Sequence, residues 1–258
     1  MKPEPNNMLL LKPFFILLLA LLSASCATVG GPPNPDDPLE SFNRSMFAFN
    51  ETLDSYAIKP VARGYKAITP EFVDTGISNF FSNLDDILVI INDLLQLKFE
   101  QALKDFARFV YNTTFGLGGF IDVATGFGLP KNNEDFGQTL GYWGVPSGPY
   151  LVLPILGPSS VRDAAGFAVD VSYFDPVFTS IDDDATRWSA VSLKFIDIRA
   201  DLLSASNIID ETAPDKYAFV RDAWIQRRQN LVHDGNPPEA FSEEELFGDD
   251  LFEDDLKR

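Results

Sequence analysis

Apolar residues recur along most of this chain at three- and four-residue spacings, which are the spacings of amphipathic helices. The first stripe follows Asp37 and Pro38, which are typical of an N-cap and a first helical turn. No segment alternates long enough to predict a sheet, and Tyr150–Leu153 is the best strand candidate. The sequence therefore predicts an all-α fold. The stripes are Leu39, Phe42, Met46, Phe49, Leu53 and Tyr56; Phe72, Ile77, Phe80 and Phe81; Phe99, Leu103, Phe106 and Val110; Trp188, Val191, Phe195, Ile198 and Leu202; and Tyr217, Val220 and Trp224.

Three segments are more apolar than an amphipathic helix requires. Residues 86–97 are apolar on nearly every side, so protein or lipid must surround them. Residues 115–129 carry a single charge and residues 136–161 carry none, but glycines and prolines prevent either from forming a spanning helix. Together with 23 phenylalanines, these segments favour a chain that meets lipid without crossing the bilayer as one helix. The alternative is a large aromatic core in a soluble protein.

The N-terminus has the order of a secretory signal peptide. Lys12 supplies positive charge, residues 14–22 are an apolar run, and residues 23–25 are small. Nine helical residues span only about 13 Å, too little to cross a bilayer core. The run leads to Cys26, the single cysteine of the chain, which predicts a lipidated N-terminal residue. The segment resembles a bacterial lipobox, although its leucine, Leu22, lies four rather than three residues before the cysteine.

Composition then divides the chain into four parts. We predict a signal peptide over residues 1–25, a lipidated N-terminus and linker over 26–36, one helical domain that meets lipid over 37–234, and an acidic, disordered tail over 235–258. The formal net charge of −18 at pH 7 argues against a nucleic-acid partner, because phosphate backbones repel such a chain. Ala27, rather than an aspartate, follows the cysteine, and by resemblance to sorted lipoproteins this favours the outer membrane.

Catalytic and metal-binding patterns are scarce. His233 is the only histidine and Cys26 is committed to lipid, which argues against zinc sites and nucleophile–histidine pairs. Residues 182–184 are three consecutive aspartates, a pattern more typical of a helix N-terminus than of a metal site. Asp122 and Asp135 lie near apolar segments where burial would raise a carboxyl pKa, so a carboxylate-dependent lipid hydrolase stays open as an alternative.

Several longer motifs resemble those of the MlaA/VacJ lipoproteins. The resemblance implies a single ring-like, multi-helix domain with Gly/Pro-rich loops, seated in the periplasmic leaflet of the outer membrane of a Gram-negative bacterium. It also implies an amphipathic channel that passes phospholipids from the outer leaflet inward, a trimeric porin and a soluble periplasmic lipid carrier as partners, and no catalytic residue. The motifs are DPLESFNRSMFAFN (37–50), KPVARGY (59–65), ISNFFSNL (77–84), ARFVYNTTFGLGGFIDVA (107–124), DFGQTLGYWGVPSGPYLVLPILGPSSVRD (135–163) and RRQNLV (227–232).

A channel for phospholipid needs polar groups for the headgroup beside apolar surface for the tails. Polar residues that interrupt aromatic stretches are therefore candidates for the lipid path, although helix capping and buried hydrogen bonding would use the same residues. The expected ligands are the acyl chains on Cys26 and a transported phospholipid, with no metal and no cofactor. A porin-associated scaffold that moves no lipid is a further alternative. The path candidates are Phe42, Asn43, Arg44, Phe47, Asn79, Phe80, Asn83, Arg108 and Asn112.

Overall fold

The computed structural model describes residues 37–237, and within that range the protein is mostly helical. The predicted signal peptide, the linker with Cys26 and most of the acidic tail lie outside the described residues. The α-helices are α1 (Glu40–Leu53), α2 (Lys59–Ile68), α3 (Glu71–Leu95), α4 (Phe99–Phe115), α5 (Phe136–Tyr142), α6 (Val161–Val169), α7 (Pro176–Thr179), α8 (Asp184–Asp201), α9 (Leu203–Thr212) and α10 (Lys216–Val232). Shorter elements are π-helical turns at Asp54–Ile58 and Asp170–Phe174, a 3₁₀ turn at Thr125–Phe127, and strands β1 (Tyr150–Leu153) and β2 (Gly157–Ser160).

A long helical hairpin, α3 with α4, is the centre of the fold. Helix α3 has 25 residues and so is roughly 37 Å long. The turn to α4 places Leu97 at a positive φ of 63°. After α4 the chain folds back onto α3, where the ring of Phe120 fills the space beside Gly76. No helix within residues 37–237 combines the length and the apolar character needed to cross a membrane.

The strand candidate is confirmed, as half of a small antiparallel hairpin. Tyr150 pairs with Ser160 and Leu153 with Gly157, so all four residues of each strand are in register. The hairpin packs against α1 and α10. Its buried residues form a small hydrophobic cluster with both helices, made of Tyr150, Val152 and Tyr217 and flanked by Met46, Phe47, Trp224 and Ile225.

Three helix ends carry typical capping residues, and one expected cap is absent. Ser160 caps α6 by accepting a hydrogen bond from the backbone N–H of Asp163, Asp183 caps α8, and Gly116 ends α4. The expectation that Asp37 caps the first helix is wrong, since α1 begins at Glu40 without a side-chain cap. Asp37 is instead buried, where it accepts hydrogen bonds from Asn43 and from the hydroxyl of Tyr217.

Two glycines allow α5 and α6 to cross in backbone contact. A Cβ atom added at Gly166 would lie 2.4 Å from the backbone nitrogen of Gly137. Because backbone atoms cannot rotate aside, we expect Gly166→Ala to lower the free energy of unfolding by about 1–3 kcal/mol. Thermal or denaturant unfolding in detergent micelles measures this.

Gly64→Ala is the matched control for that substitution. Gly64 lies within α2, and a Cβ atom added there would meet no other atom within 4 Å. Alanine there is expected to raise the free energy of unfolding by about 0.5–1 kcal/mol, because alanine favours helix more than glycine does. Equal effects of the two variants would contradict the backbone contact.

Candidate functional site

The distribution of polar and apolar residues is inverted relative to a water-soluble core. Among residues 37–237, 19 polar or charged residues are buried and only 10 hydrophobic ones are, whereas 33 large hydrophobic residues are exposed. Exposed hydrophobic side chains in this number favour contact with lipid or protein, because soluble monomers rarely expose large apolar patches. The candidate site is therefore the polar interior, which an apolar exterior surrounds.

Helix α4 shows this inversion within one element. The predicted apolar stripe, represented by Phe99, Leu103 and Phe106, lies on the outside. The buried face carries Asp105 and Arg108 instead, together with Ala102 and Asn112. The last turns of α3 show the same inversion, because Asp86, Asn92 and Asp93 are buried while Leu94 and Leu95 are exposed.

Arg108 is the centre of the first buried polar group. Its guanidinium donates to the hydroxyl of Thr125 at 2.9 Å, to the carbonyl of Leu129 at 2.7 Å and to the carboxylate of Asp122 at 2.8 Å. Its Nε lies 3.5 Å from the carboxylate of Asp86, which also accepts from Lys131 at 2.5 Å. Arg108 therefore ties α3, α4 and the segment after α4 together through charge.

The same group fixes the loop that follows α4. The side-chain oxygen of Asn112 accepts from the backbone N–H groups of Val123 and Ala124, both at 2.9 Å, while its nitrogen donates to Asp122 at 3.2 Å. Asn79 donates to the carbonyl of Phe120 at 3.3 Å. These hydrogen bonds satisfy backbone groups of an irregular, apolar segment, which would be costly to leave unpaired. Of the three groups, the Val123 N–H also donates to the carbonyl of Ile121.

The raised carboxyl pKa expected for the hydrolase alternative is not observed. Burial acts to raise the pKa of Asp122, but hydrogen bonds from Arg108 and Thr125 outweigh it and lower that pKa to about 2. At Asp135 the same competition between burial and Arg228 also lowers the pKa. Both carboxylates are held ionised by arginines, so the prediction of a raised pKa at these positions was wrong.

Arg228 of α10 is the centre of the second polar group. It donates to both oxygens of Asp135 at 2.5 and 2.6 Å and to Asp163 at 2.8 Å, which links α10 with the starts of α5 and α6. Gly137 makes room for this bridge, since an added Cβ would lie 2.6 Å from the Arg228 guanidinium. Asp170 lies nearby, where burial raises its pKa to about 6 against hydrogen bonds from Phe136 and Asn92.

Asp93 and Asp105 form a buried carboxyl pair between α3 and α4. Neither oxygen of Asp93 accepts a hydrogen bond from the described residues, and Asp93 is fully buried. Burial first, then Asp105 and Glu134, raise the pKa of Asp93 to about 8 against the opposing effect of Lys98. A proton on Asp93 supplies the donor that its oxygens otherwise lack.

This pair predicts a pH dependence of stability. The folded protein holds the Asp93 proton up to about pH 8, whereas the unfolded chain releases it near pH 4. The stabilising contribution is complete below about pH 4 and declines as the pH rises toward 8. We expect Asp93→Asn to gain stability relative to wild type as the pH is raised from 5 to 8, because asparagine has no proton to lose when the chain unfolds. Unfolding measured at pH 5, 6.5 and 8 tests this, with the exposed Asp182→Asn as the control that should show no such trend.

The path candidates of the first helix lie against the β hairpin and α10. Asn43 is fully buried and binds β1, and Phe47 packs edge-to-face on Tyr217 at 5.6 Å. Arg44 lies over the same ring at 4.4 Å and pairs with Glu40 and Asp215. Phe42 is half-buried. This group therefore lies where α1 meets the hairpin and α10.

The remaining candidates gather along the α3–α4 hairpin. Asn83 donates to the hydroxyl of Thr113 at 3.0 Å, and its own buried oxygen has no partner in the described residues. Phe80 is 40% exposed and meets Phe81 edge-to-face. The structure therefore divides the nine candidates into two groups, and most of their polar atoms already bind other parts of the fold.

Two cavities adjoin the second polar group. One, of about 320 Å³, lies between α10 and the β hairpin and includes Tyr150, whose buried hydroxyl has no partner in the described residues. The other, of about 260 Å³, lies between α3 and α10. Arg228 lines both cavities, so its side chain forms part of the wall between them.

A family model described as MlaA lipoprotein matches residues 35–231 of the chain, which include nearly all of this helical body. The chain belongs to the MlaA lipoprotein family. It is 36% identical over 237 residues to the intermembrane phospholipid transport system lipoprotein MlaA of Escherichia coli (strain K12), covering 89% of this chain and 92% of that one. The corresponding lipoprotein of Haemophilus influenzae is also 36% identical, over 92% of this chain and 97% of its own.

A solved structure is similar as well. It is described as "Structural basis for maintenance of bacterial outer membrane lipid asymmetry", and it matches with a TM-score of 0.65 and 36% identity over 76% of this chain and 98% of that chain. An uncharacterized protein of Rickettsia conorii is 39% identical over 76% of this chain. The mostly helical fold predicted from the sequence is thus confirmed for this member of the MlaA family.

Sequence reasoning missed several residues of the polar interior of this MlaA-family chain. Lys131, Glu134 and Arg228 were not singled out as a group, because Arg228 lies far beyond the other two in sequence. One signal was available, namely that the polar residues of the otherwise apolar segment 86–97 share a helical face. Within residues 37–237, no group of three or more His, Cys, Asp or Glu side chains is arranged to hold a metal ion.

Proposed function

We propose that this protein removes phospholipids from the outer leaflet of the outer membrane and passes them inward to a soluble periplasmic carrier, which maintains lipid asymmetry. The support is the family membership together with the names of the relatives from Escherichia coli and Haemophilus influenzae, which are intermembrane phospholipid transport lipoproteins.

The single observation that carries the proposal is the inverted distribution of polar residues. A body with exposed Phe, Leu and Ile side chains suits a lipid leaflet, because contact with acyl chains removes this apolar surface from water. A buried, charged interior suits passage of a headgroup, which would be costly to move through hydrocarbon. The protein itself would select the lipid and lower the barrier to headgroup passage.

The nine path candidates stay part of this proposal, and four of them take one of two roles. Asn43, Asn112 and Arg108 would set the shape of the path by holding its walls together. Asn83 has a buried oxygen without a partner in the described residues, so it is the candidate best suited to touch a passing headgroup. A trimeric porin would hold the body in the leaflet.

Outer-leaflet phospholipid on intact cells tests the function. A lipase that cannot cross the outer membrane reports exposed phospholipid in cells with and without the gene. We expect accumulation in the deletion strain and a return to baseline with the wild-type gene. Unchanged exposure with reduced porin levels would instead support the scaffold alternative.

Cys26→Ala tests the anchor in the same assay. The variant should leave the membrane fraction and fail to restore the baseline, because lost acyl chains remove stable attachment. Cys26→Ser, which keeps the side-chain size but also lacks the thiol, should give the same result. A soluble form with full activity would contradict the proposed anchor.

A further inference from the structure

The cavity between α3 and α10 has an unusual set of charged walls. Three cationic side chains, those of Lys131, Arg227 and Arg228, line its volume of about 260 Å³. Asp85, Glu134 and Asp135 line it as well. The middle of α3 supplies one side, the last turns of α10 supply another, and the segment that leads into α5 supplies the third. The cavity is thus bounded by elements that the two polar groups hold in place.

Five of these six charged side chains form ion pairs with other residues of the fold. Lys131 binds Asp86 and the carbonyl of Ser82. Arg228 binds Asp135 and Asp163. On the acidic side, Glu134 accepts from Lys98 at 3.0 Å and Asp85 from Lys194 at 2.5 Å.

Arg227 is the exception. It has no ion pair and no side-chain hydrogen bond with any residue of the range 37–237, although its side chain lines the cavity. Arg227 is an exposed residue of α10, so its charge faces water rather than a carboxylate. The positive charge on the wall is therefore available to a ligand.

A second observation points the same way. The Nε–H of Arg228 is buried and has no acceptor among the described residues. A buried donor without an acceptor is costly, and native structures rarely keep one without a ligand, an ion or water. The adjacent arginines thus present one unpaired charge and one unpaired donor on side chains that line the same cavity.

We propose that this cavity binds the phosphate of a phospholipid headgroup, with Arg227 as the anchoring cation and Arg228 and Lys131 as supporting donors. The proposal rests on the proposed lipid transport and names a headgroup site for it. Arginine suits this role because its planar, forked donors match phosphate oxygens in pairs.

The acidic side of the cavity favours a lipid over free phosphate. Asp85 and Glu134 each pair with a lysine but remain carboxylates in the wall, so repulsion grows with each negative charge on the ligand. A lipid phosphodiester carries one negative charge, whereas a phosphate monoester or free phosphate carries more at neutral pH. The acyl tails would extend toward the apolar exterior.

Binding of short-chain lipids by the purified full-length lipoprotein in detergent tests the site. Dihexanoyl phosphatidylcholine supplies the phosphodiester, dihexanoylglycerol lacks it, and inorganic phosphate supplies the anion without tails; calorimetry measures each. We expect Arg227→Gln to weaken binding of the phospholipid about tenfold to a hundredfold, and Arg227→Lys to weaken it less. Binding of dihexanoylglycerol should be unchanged in both variants.

Arg63→Gln is the matched control, because Arg63 is an exposed arginine on α2, outside the cavity lining. It removes the same charge and should bind phospholipid as wild type does. Wild-type affinity in Arg227→Gln would overturn the proposal. An equal loss for dihexanoylglycerol would also overturn it, since the effect would then not concern phosphate. Inorganic phosphate that binds as tightly as the phospholipid would identify a free-anion site instead.

The cellular assay separates this proposal from the transport function. Unchanged outer-leaflet phospholipid in the deletion strain, with phosphate-dependent binding lost in Arg227→Gln, would reject the transport function and keep the site. Normal transport and normal binding in Arg227→Gln would keep the function and reject the site.

Discussion

Replacing Arg108 by methionine is expected to lower the free energy of unfolding by about 3–5 kcal/mol. Methionine fills much of the same volume but removes the charge that faces Asp86 and Asp122. Asp86 is fully buried and would keep only Lys131, while the Leu129 carbonyl would lose its donor. Breaking a buried ion pair on one side costs more than the pair contributes, because the remaining charge stays away from water. Denaturant unfolding in detergent micelles measures the loss.

Two comparisons make the Arg108 result specific. Arg63→Met removes an exposed arginine and should change stability by no more than about 0.5 kcal/mol. In the double variant with Asp122→Asn, part of the loss should be recovered, because the stranded carboxylate is gone. A loss under about 1 kcal/mol in Arg108→Met alone would contradict this expectation. It would mean that water reaches Asp86 and Asp122 once the arginine is removed.

Asn43→Ala is expected to cost about 2–4 kcal/mol of unfolding free energy. In an antiparallel pair, alternate residues direct their backbone groups away from the partner strand. The Asn43 side chain binds two such groups on β1: it donates to the carbonyl of Tyr150 at 2.9 Å and accepts from the N–H of Val152 at 2.9 Å. Its amide thus takes the place of a third strand. Alanine would leave both buried backbone groups unsatisfied.

Asn50 offers the graded control for this substitution. It lies two helical turns further along α1 and repeats the arrangement, donating to the carbonyl of Leu153 at 2.9 Å and accepting from the N–H of Ile155 at 2.7 Å. Ile155 is exposed, so water can replace the lost amide. Asn50→Ala should therefore cost about 1 kcal/mol or less. Equal losses in the two variants would show that burial of the edge does not set the cost.

Helix positions could be predicted from the sequence because an amphipathic helix shows the same spacing of apolar residues whether its apolar face contacts protein or lipid. The stripe of α8 is an example, since four of its five residues lie on one helix and the fifth, Leu202, is the C-cap of that helix. Trp188, Ile198 and Leu202 are nevertheless exposed, whereas Asp197 and Ala200 are buried. Periodicity specifies which residues share a face, but it does not specify whether water, protein or lipid covers that face.

The polar interior was harder to predict for a different reason. Arg228 meets Asp135 and Asp163 from 93 and 65 residues away, and such pairings have no local signal. Asn43 and Arg108 were identified as polar interruptions of apolar stripes, which is a local signal. Their contacts with β1 and with the segment after α4 depend on long-range packing, so their structural roles required coordinates.

The exposed apolar surface also has a thermodynamic consequence. The heat-capacity change of unfolding arises mainly from apolar groups that become hydrated, at about 12–15 cal/mol/K per residue in ordinary globular proteins. Here many of the large apolar side chains are already exposed on the surface of the folded protein. Much of the surface that unfolding uncovers belongs to carboxylate, amide and guanidinium groups. Polar exposure contributes with the opposite sign. The stability of this protein should therefore vary with temperature along a flatter curve than that of a soluble domain of its size, with cold denaturation displaced to lower temperature.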